Sequence, residues 1–486
     1  MSDSEKAMAK RVLPKLFGLT PDVMERLDSP RYFVWLKRRL TETQSLSYEA
    51  VMSGMPKYLR PKNLVLQEED RRFYPAGGLA APILGLTDVD SKGQMGLEAQ
   101  YDEALTGETL EVKGVRDPSG RKVTFEAIDL SLDVPVGDHL QLTLDRRVQY
   151  VAEREIAKAV TQHKASYGVA IAMDVKSGDI LAMAQYPSYD PNEMEGTKPE
   201  AMHNAAVEWT IEPGSTLKTF VVAGALEEGL HVPGDSIFCG NGAMVIGPNI
   251  IHDSHPHGYL TVPEVVTKSS NIGTAKIGHE LGAQRLWSYL DAFGFGKKTE
   301  ARFAGESGGI LAKPQRWMPI ELATISFGQG INVTPLQLTA AFATLANDGE
   351  YVPPRLVSRL IAPNGTTRKE FPVGASRRVV SAKTARMMNE IMQGVVEEGG
   401  TGTNARIGGC PVAAKTGTAE KLAKNHKFGV HDFWTSVFAG FFPADDPKIA
   451  LLIVVDEPRG GKYYGGEVAA PPFRAIASEI APMLGL

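Results

Sequence analysis

The sequence predicts an α+β protein with more than one domain, and three observations carry that reading. The chain has 486 residues, beyond the size at which a single hydrophobic core usually stops growing. An amphipathic helical pattern over 144–163 feeds a strand hairpin, Gly168 to Val175 and Ile180 to Tyr186, across the turn Lys176-Ser-Gly-Asp. Three more strand-like runs appear only far downstream, at about 412–419, 435–442 and 448–455, behind a mostly helical insert of residues 213–400. Two strands before the insert and three after it imply a five-stranded antiparallel sheet sandwiched by helices. The insert is then a helical subdomain, with a cleft where it meets a sheet edge. We therefore expect an N-terminal α+β domain over 1–137 and a second domain over 138–486.

Composition narrows the class. Hydrophobic residues at 43% and charged residues at 22% are ordinary proportions for a globular chain, with no sign of disorder. Net charge is −5 with Lys and Arg dispersed, so no nucleic-acid footprint is expected. Neither Cys239 nor Cys410 lies in a Cys-x-x-Cys pair, and no thiol redox site or zinc ribbon is indicated. The longest apolar runs, such as Ile449 to Val455, fall far short of the ~20 residues needed to span a bilayer.

Taken in order, residues 1–70 read as a small α+β region with charged helical patterns, for example around 32–40, where Phe33, Leu36, Lys37 and Leu40 share a stripe. Arg71-Arg72-Phe73-Tyr74-Pro75 comes next, then the glycines Gly77, Gly78, Gly85, Gly93 and Gly96, ending Gly96-Leu97-Glu98. Such density suggests tight turns and close backbone approaches. Residues 108–135 look like short strands about the turn Pro118-Ser119-Gly120, and 144–163 opens the second domain.

Chemistry concentrates in three short motifs. In Glu212-Pro-Gly-Ser-Thr-Leu-Lys-Thr-Phe, Pro213 and Gly214 break the preceding element, and apolar spacing from Leu217 predicts a helix starting near Ser215. Ser215 and Lys218 then share one face, so a neutral, desolvated Lys218 is placed to accept the Ser215 proton. The plainer reading makes Ser215 an N-cap, and Ser119-Gly-Arg-Lys122 repeats the spacing in a turn with no helix after it. Ser269-Ser270-Asn271 is the only Ser-x-Asn in the chain; it reads either as a loop presenting a hydroxyl and an amide, or as a polar helix junction. Lys415-Thr416-Gly417-Thr418 lies on the third sheet strand. Alternation sends Lys415 and Gly417 to one face and Thr416 and Thr418 to the other, and an edge strand there is able to bond an extended peptide. Lys176-Ser177-Gly178 fits the same motif as a mere hairpin turn. His252, His255 and His257 cluster within seven residues of sequence but read as a surface loop, not a metal site.

The order Ser-x-x-Lys, Ser-x-Asn, Lys-Thr-Gly, each on the element its role needs, is the signature of β-lactamases and penicillin-binding proteins. The chain resembles the class B penicillin-binding proteins, monofunctional peptidoglycan D,D-transpeptidases, and is most similar to the division-specific FtsI type. The resemblance covers nearly the whole chain. It includes Arg72-Phe-Tyr-Pro with Gly96-Leu97-Glu98 as a pedestal-domain signature, Gly168 to Pro191, Phe293-Gly-Phe-Gly, Ser326-Phe-Gly-Gln-Gly and Val333-Thr-Pro-Leu-Gln-Leu. Glu212-Pro213-Gly214-Ser215 is similar to the septal branch.

The resemblance implies that Ser215 attacks the penultimate D-Ala carbonyl of a stem ending D-Ala-D-Ala, with Lys218 as base. Ser269 passes the proton to the leaving amine, Asn271 holds the donor amide, and Lys415 stabilises charge near Ser269. Thr416, Gly417 and Thr418 bind the donor, the threonines taking its carboxylate or backbone. The N–H groups of Ser215 and Thr418 form the oxyanion hole, and no cofactor or metal is required. Implied partners are peptidoglycan stem peptides on lipid II-derived strands, β-lactam antibiotics, and an FtsW-type glycosyltransferase with other division proteins, but no nucleic acid. The family sits on the periplasmic face of the bacterial inner membrane. Its members normally begin with a cytoplasmic tail, a membrane helix and an Arg-Gly-x-Ile-x-Asp-Arg stretch, which this sequence lacks, so a fragment or an unusual gene start is expected. Alternatives are a β-lactamase or β-lactam sensor, for which residues 1–140 are superfluous, a D,D-carboxypeptidase, an elongation-specific class B homologue, and an inactive divisome scaffold.

Overall fold

A computed structural model describes residues 1–107, 115–116, 122–123, 136–421 and 433–486, except Tyr32, Leu59, Lys62, Glu68 and Asp70. Helices α1 (Asp3–Phe17) and α2 (Glu42–Gly54) open the chain. Each starts with a reciprocal capping box, Ser2 with Glu5 and Thr41 with Gln44, which satisfies orphan N–H groups of the first turn. With the short helix Pro21–Glu25 between them, they enclose a small core of Ala9, Leu13, Phe17, Met24, Leu27 and Tyr48.

Two expectations for this region need correction. Among the described residues of 1–70 there is no strand, so the segment is helical rather than α+β. Residues 33–40 are also not a helix. Pro30 precedes them, Arg39 takes φ +53, and the long cations reach away instead of pairing along a helix. Lys37 Nζ donates to Phe17 O at 2.7 Å, and Arg38 lies over the Trp35 ring while bonding Glu69 and Asp90. Strands Val115–Arg116 and Lys122–Val123 pair antiparallel; the Pro118-Ser119-Gly120 turn lies outside the described residues.

The glycine-rich segment is a tight backbone crossing, as its composition predicts. A Cβ on Gly85 would lie 1.8 Å from Met95 O, and one on Gly96 2.6 Å from Gly85 N. Arg72 Nε donates to Glu98 Oε1 at 2.7 Å beside it. Hydrogen bonds fasten this segment to residues beyond the 137/138 boundary. Ala80 N–H donates to Glu153 Oε1 (2.7 Å), Asn192 exchanges two bonds with the Tyr74 backbone (3.1 and 2.9 Å), and the Tyr189 hydroxyl donates to Ala81 O (3.0 Å). Ala80, Ile83 and Leu97 belong to the same buried core as the second domain's helices.

That domain is built on helix α3 (Arg146–His163), capped by Asp145, and strands β1 (Tyr167–Asp174), β2 (Ile180–Tyr186), β3 (Ala413–Lys421), β4 (Phe433–Phe442) and β5 (Ile449–Asp456). The sheet order is β3-β4-β5-β1-β2, all antiparallel, leaving β3 at an edge. Strict alternation divides the strands between two cores. Val169, Ile171, Val437, Ala439, Leu452 and Val454 face the helical insert; Ala170, Ala172, Phe438, Leu451, Ile453 and Val455 face α3 and the C-terminal helix Ala470–Met483. Burial on both faces explains why these strands read as continuous apolar runs.

Inside the insert, helix α4 (Lys218–Glu227) carries Phe220 into a nest of Phe293, Phe295 and Phe342, ring centroids 4.8–5.3 Å away. The Phe-Gly-Phe-Gly motif thus anchors the helix that begins just after Ser215. Helix α5 (Asn271–Leu281) packs beside it. Helix α6 (Pro335–Ala346), with all of its residues buried, starts from the Thr334/Gln337 capping box in Val333-Thr-Pro-Leu-Gln-Leu. The insert also holds two short antiparallel strand pairs that the sequence pattern does not reveal: Ser236–Phe238 with Tyr259–Thr261 and, nested between them, the hairpin Ala243–Ile246 with Asn249–His252.

Candidate active site

The Ser215 turn is set by backbone geometry. Gly214 to Leu217 form a single 3₁₀ turn leading straight into α4, and in such a turn side chains at i and i+3 eclipse. Ser215 is therefore not an N-cap; its side chain caps nothing and is half-buried. Gly214 sits at φ +51 and donates to Gly328 O at 3.1 Å, while a Cβ on Gly328 would lie 1.9 Å from Gly214 O. Glu212 Oε1 accepts from Gly330 N–H at 2.9 Å, and Ile211 bridges Val333. Ser326-Phe-Gly-Gln-Gly is thus the backbone bed of the Ser215 turn. The other side of the turn lies on β3, where a Cβ on Gly417 would lie 2.9 Å from Pro213 O.

Lys218 is fully buried, and its amine does not bond Ser215. Instead Nζ bonds Ser269 O (2.5 Å), Asn271 Oδ1 (2.7 Å) and Ser269 Oγ (3.3 Å). Burial lowers its pKa to about 7, against the opposing pull of Asp253. Lys415, also fully buried, donates to the same Ser269 Oγ at 2.9 Å and to Thr416 O at 3.1 Å. Burial, and secondarily the charge of Lys218, push Lys415 well below the usual lysine range. Ser269 itself is held at φ +60, and Ser270 caps α5 through Gly273 N–H. The Ser-x-Asn motif is therefore both a presenting loop and a helix start.

On the edge strand, Thr416 Oγ1 lies 2.8 Å from Thr401 Oγ1, and Thr418 Oγ1 accepts from Gly465 N–H at 3.0 Å. The Thr418 carbonyl faces the turn, since a Cβ on Gly214 would sit 3.0 Å from it. N–H and C=O of one residue in an antiparallel strand point the same way, so the Thr418 N–H also leaves the sheet beside Ser215. All eight motif residues, Ser215, Lys218, Ser269, Asn271, Lys415, Thr416, Gly417 and Thr418, come together around this edge.

One acid in the site was missed by the sequence reading. Asp253, inside the histidine run, accepts from Ser270 Oγ (2.6 Å), Asn271 N–H (2.5 Å) and Ile272 N–H (3.0 Å). It holds the Ser-x-Asn loop and neutralises the first turn of α5. The neighbouring His252 backbone accepts from Asn271 Nδ2 at 2.9 Å. Among the described residues no three metal-ligating side chains converge, and no helix is long and apolar enough to cross a membrane.

A helix-borne serine and lysine, a strained Ser-x-Asn turn and an edge-strand Lys-Thr-Gly, gathered against a five-stranded sheet, define the penicillin-binding transpeptidase class. Residues 168–478 match the family described as penicillin binding protein transpeptidase domain, and the chain belongs to it, as a class B penicillin-binding protein of the FtsI type. It is 35% identical over 494 residues to the probable peptidoglycan D,D-transpeptidase PenA of Neisseria gonorrhoeae, covering 100% of this chain and 80% of that protein. Similarity to peptidoglycan D,D-transpeptidase FtsI of Escherichia coli K12 is 38% over 425 residues, 87% of this chain and 69% of the relative. Penicillin-binding protein 3 of Mycobacterium tuberculosis, solved in complex with aztreonam, superposes with TM-score 0.75 at 31% identity, covering 86% and 91% of the two chains.

Proposed function

We propose that the chain is a peptidoglycan D,D-transpeptidase acting through an acyl-enzyme on Ser215. The observation that carries this reading is the Ser269 hydroxyl, met by Lys415 at 2.9 Å and Lys218 at 3.3 Å, beside the Ser215 turn. Ser215 Oγ attacks the penultimate D-Ala carbonyl of a stem ending D-Ala-D-Ala, and its proton goes to Lys218, whose low pKa leaves much of it neutral near pH 7. The Ser215 and Thr418 N–H groups receive the oxyanion. Ser269, polarised by Lys415, returns the proton to the departing D-Ala amine; Asn271 holds the donor amide, and Thr416 and Thr418 its carboxylate. An amine of a neighbouring stem then attacks the ester and frees Ser215.

In this reading β-lactams acylate the same serine. The protein works in septal wall synthesis on the periplasmic face of the inner membrane, and residues 1–137 dock an FtsW-type polymerase and other division proteins. Intact-mass spectrometry after incubation with benzylpenicillin tests the chemistry: one stable adduct mapping to Ser215 is expected. No adduct, or prompt release of hydrolysed drug, overturns it. Offering a D-Ala-D-Ala peptide with an acceptor amine separates transfer from the hydrolysis a carboxypeptidase would give.

A further inference from the structure

Thr401 stands exposed at the cleft, outside the three motifs, with its Oγ1 2.8 Å from Thr416 Oγ1. The loop that carries it is tightly built. Gly400 N–H donates to Glu397 O (2.9 Å) and Gly402 N–H to Val395 O (2.8 Å), while Lys268 Nζ ties Gly399 O (2.8 Å) to the chain just before Ser269. A Cβ on Gly466 would lie 2.1 Å from Thr401 O, so the 465–466 segment packs over the loop as well.

A hydroxyl has one proton and two lone pairs. Around Thr416 Oγ1 stand Thr401 Oγ1 and, farther off at 3.4 Å, Lys415 Nζ, which donates. A carboxylate only accepts, so Thr416 serves one only when its own proton points into the cleft. We infer that Thr401 is the positioning residue for the anionic end of the donor: its O–H donates to Thr416 Oγ1 and thereby turns the Thr416 proton outward. The inference rests on the transpeptidase reading, in which Thr416 meets the terminal carboxylate. Donation from Thr401 also polarises the Thr416 hydroxyl, and a bond to a charged acceptor gains most from that. A neutral amide end, which carries donors of its own, gains little. Thr401 thus sets the preference for acid over amide termini.

The experiment compares wild type, Thr401→Val and Thr401→Ser in acylation by benzylpenicillin and by its carboxamide, with the saturation constant and limiting rate measured separately. Thr401→Val is expected to raise the saturation constant for the acid about tenfold. It leaves the limiting rate and the carboxamide constant within about twofold, and Thr401→Ser restores wild-type behaviour for the acid. Equal losses on acid and carboxamide, a loss confined to the limiting rate, or no loss at all overturns the inference. A wild-type chain that takes up no penicillin overturns the underlying reading instead, and the two failures are told apart by that control.

Discussion

The side-chain nitrogen of Lys218 lies 2.7 Å from Asn271 Oδ1, a residue on a different helix and 53 positions away. That contact joins helix α4 to the Ser-x-Asn turn, and with the bonds to Ser269 it turns the Lys218 amine towards Ser269 rather than Ser215. In the proposed acyl transfer, Lys218 has to exchange one of these bonds for the Ser215 hydroxyl before it takes the proton.

Removing the Ser215 hydroxyl tests the nucleophile. Among the described residues that hydroxyl makes no hydrogen bond, so Ser215→Ala is expected to abolish the penicillin adduct while moving the melting temperature by less than about 2 K. Intact mass and a thermal melt on the same sample decide it. An adduct on the variant places the nucleophile elsewhere.

The Lys218 pKa sets a pH dependence. Below about 7 the lysine is protonated and cannot accept, so the acylation rate is expected to rise with pH through about 7 and then level off. The low-pH limb has a slope of about one decade per pH unit. A profile flat from about pH 5.5 to 9 would mean that Lys218 is not the base.

Asp253 offers a sign test. Its charge raises the Lys218 pKa against burial, and its carboxylate holds Ser270, Asn271 and Ile272. Asp253→Asn is therefore expected to shift the acylation midpoint to lower pH. It also lowers the acylation efficiency by about 10- to 100-fold, because an amide nitrogen now faces backbone donors. An unmoved midpoint rejects the electrostatic link.

How much of the molecule was legible in the sequence depends on the range of the signal. The five strands were legible as apolar runs because both their faces are buried, and the turn from Ser215 to Lys218 because Pro213 and Gly214 break the preceding element, although the Lys218 amine meets Ser269 and Asn271 instead of Ser215. The partners of Lys218, Ser269 and Asn271, were reachable only through the order of the three motifs and the resemblance it carries, since Ser269 lies 51 positions away and no local spacing joins them. Asp253 was passed over because an acid among histidines, Pro and Gly reads as a solvated loop; nothing local signals its three donors. Residues 33–40 were misread for the opposite reason: an apolar spacing of helical period arose in a segment whose cations are committed elsewhere.

Residues 71–107 precede the 137/138 boundary yet pack on the catalytic domain. Ala80, Ile83 and Leu97 lie in the main core, and Glu153, Asn192 and Tyr189 bond the backbone of this segment. The first two helices, with their own small core, have no such share in it. We therefore expect a chain of residues 71–486 to fold and to be acylated within about threefold of the full-length rate, while losing affinity for a polymerase partner. A chain of residues 138–486 exposes the apolar faces that Ile83 and Leu97 cover, and its melting temperature is expected to fall by more than about 5 K. In the full-length chain, Leu97→Ala is expected to cost about 2–4 kcal/mol. Equal melting of the 138–486 chain and the full-length protein would show that the segment only leans on the domain, and the division would then return to residue 137.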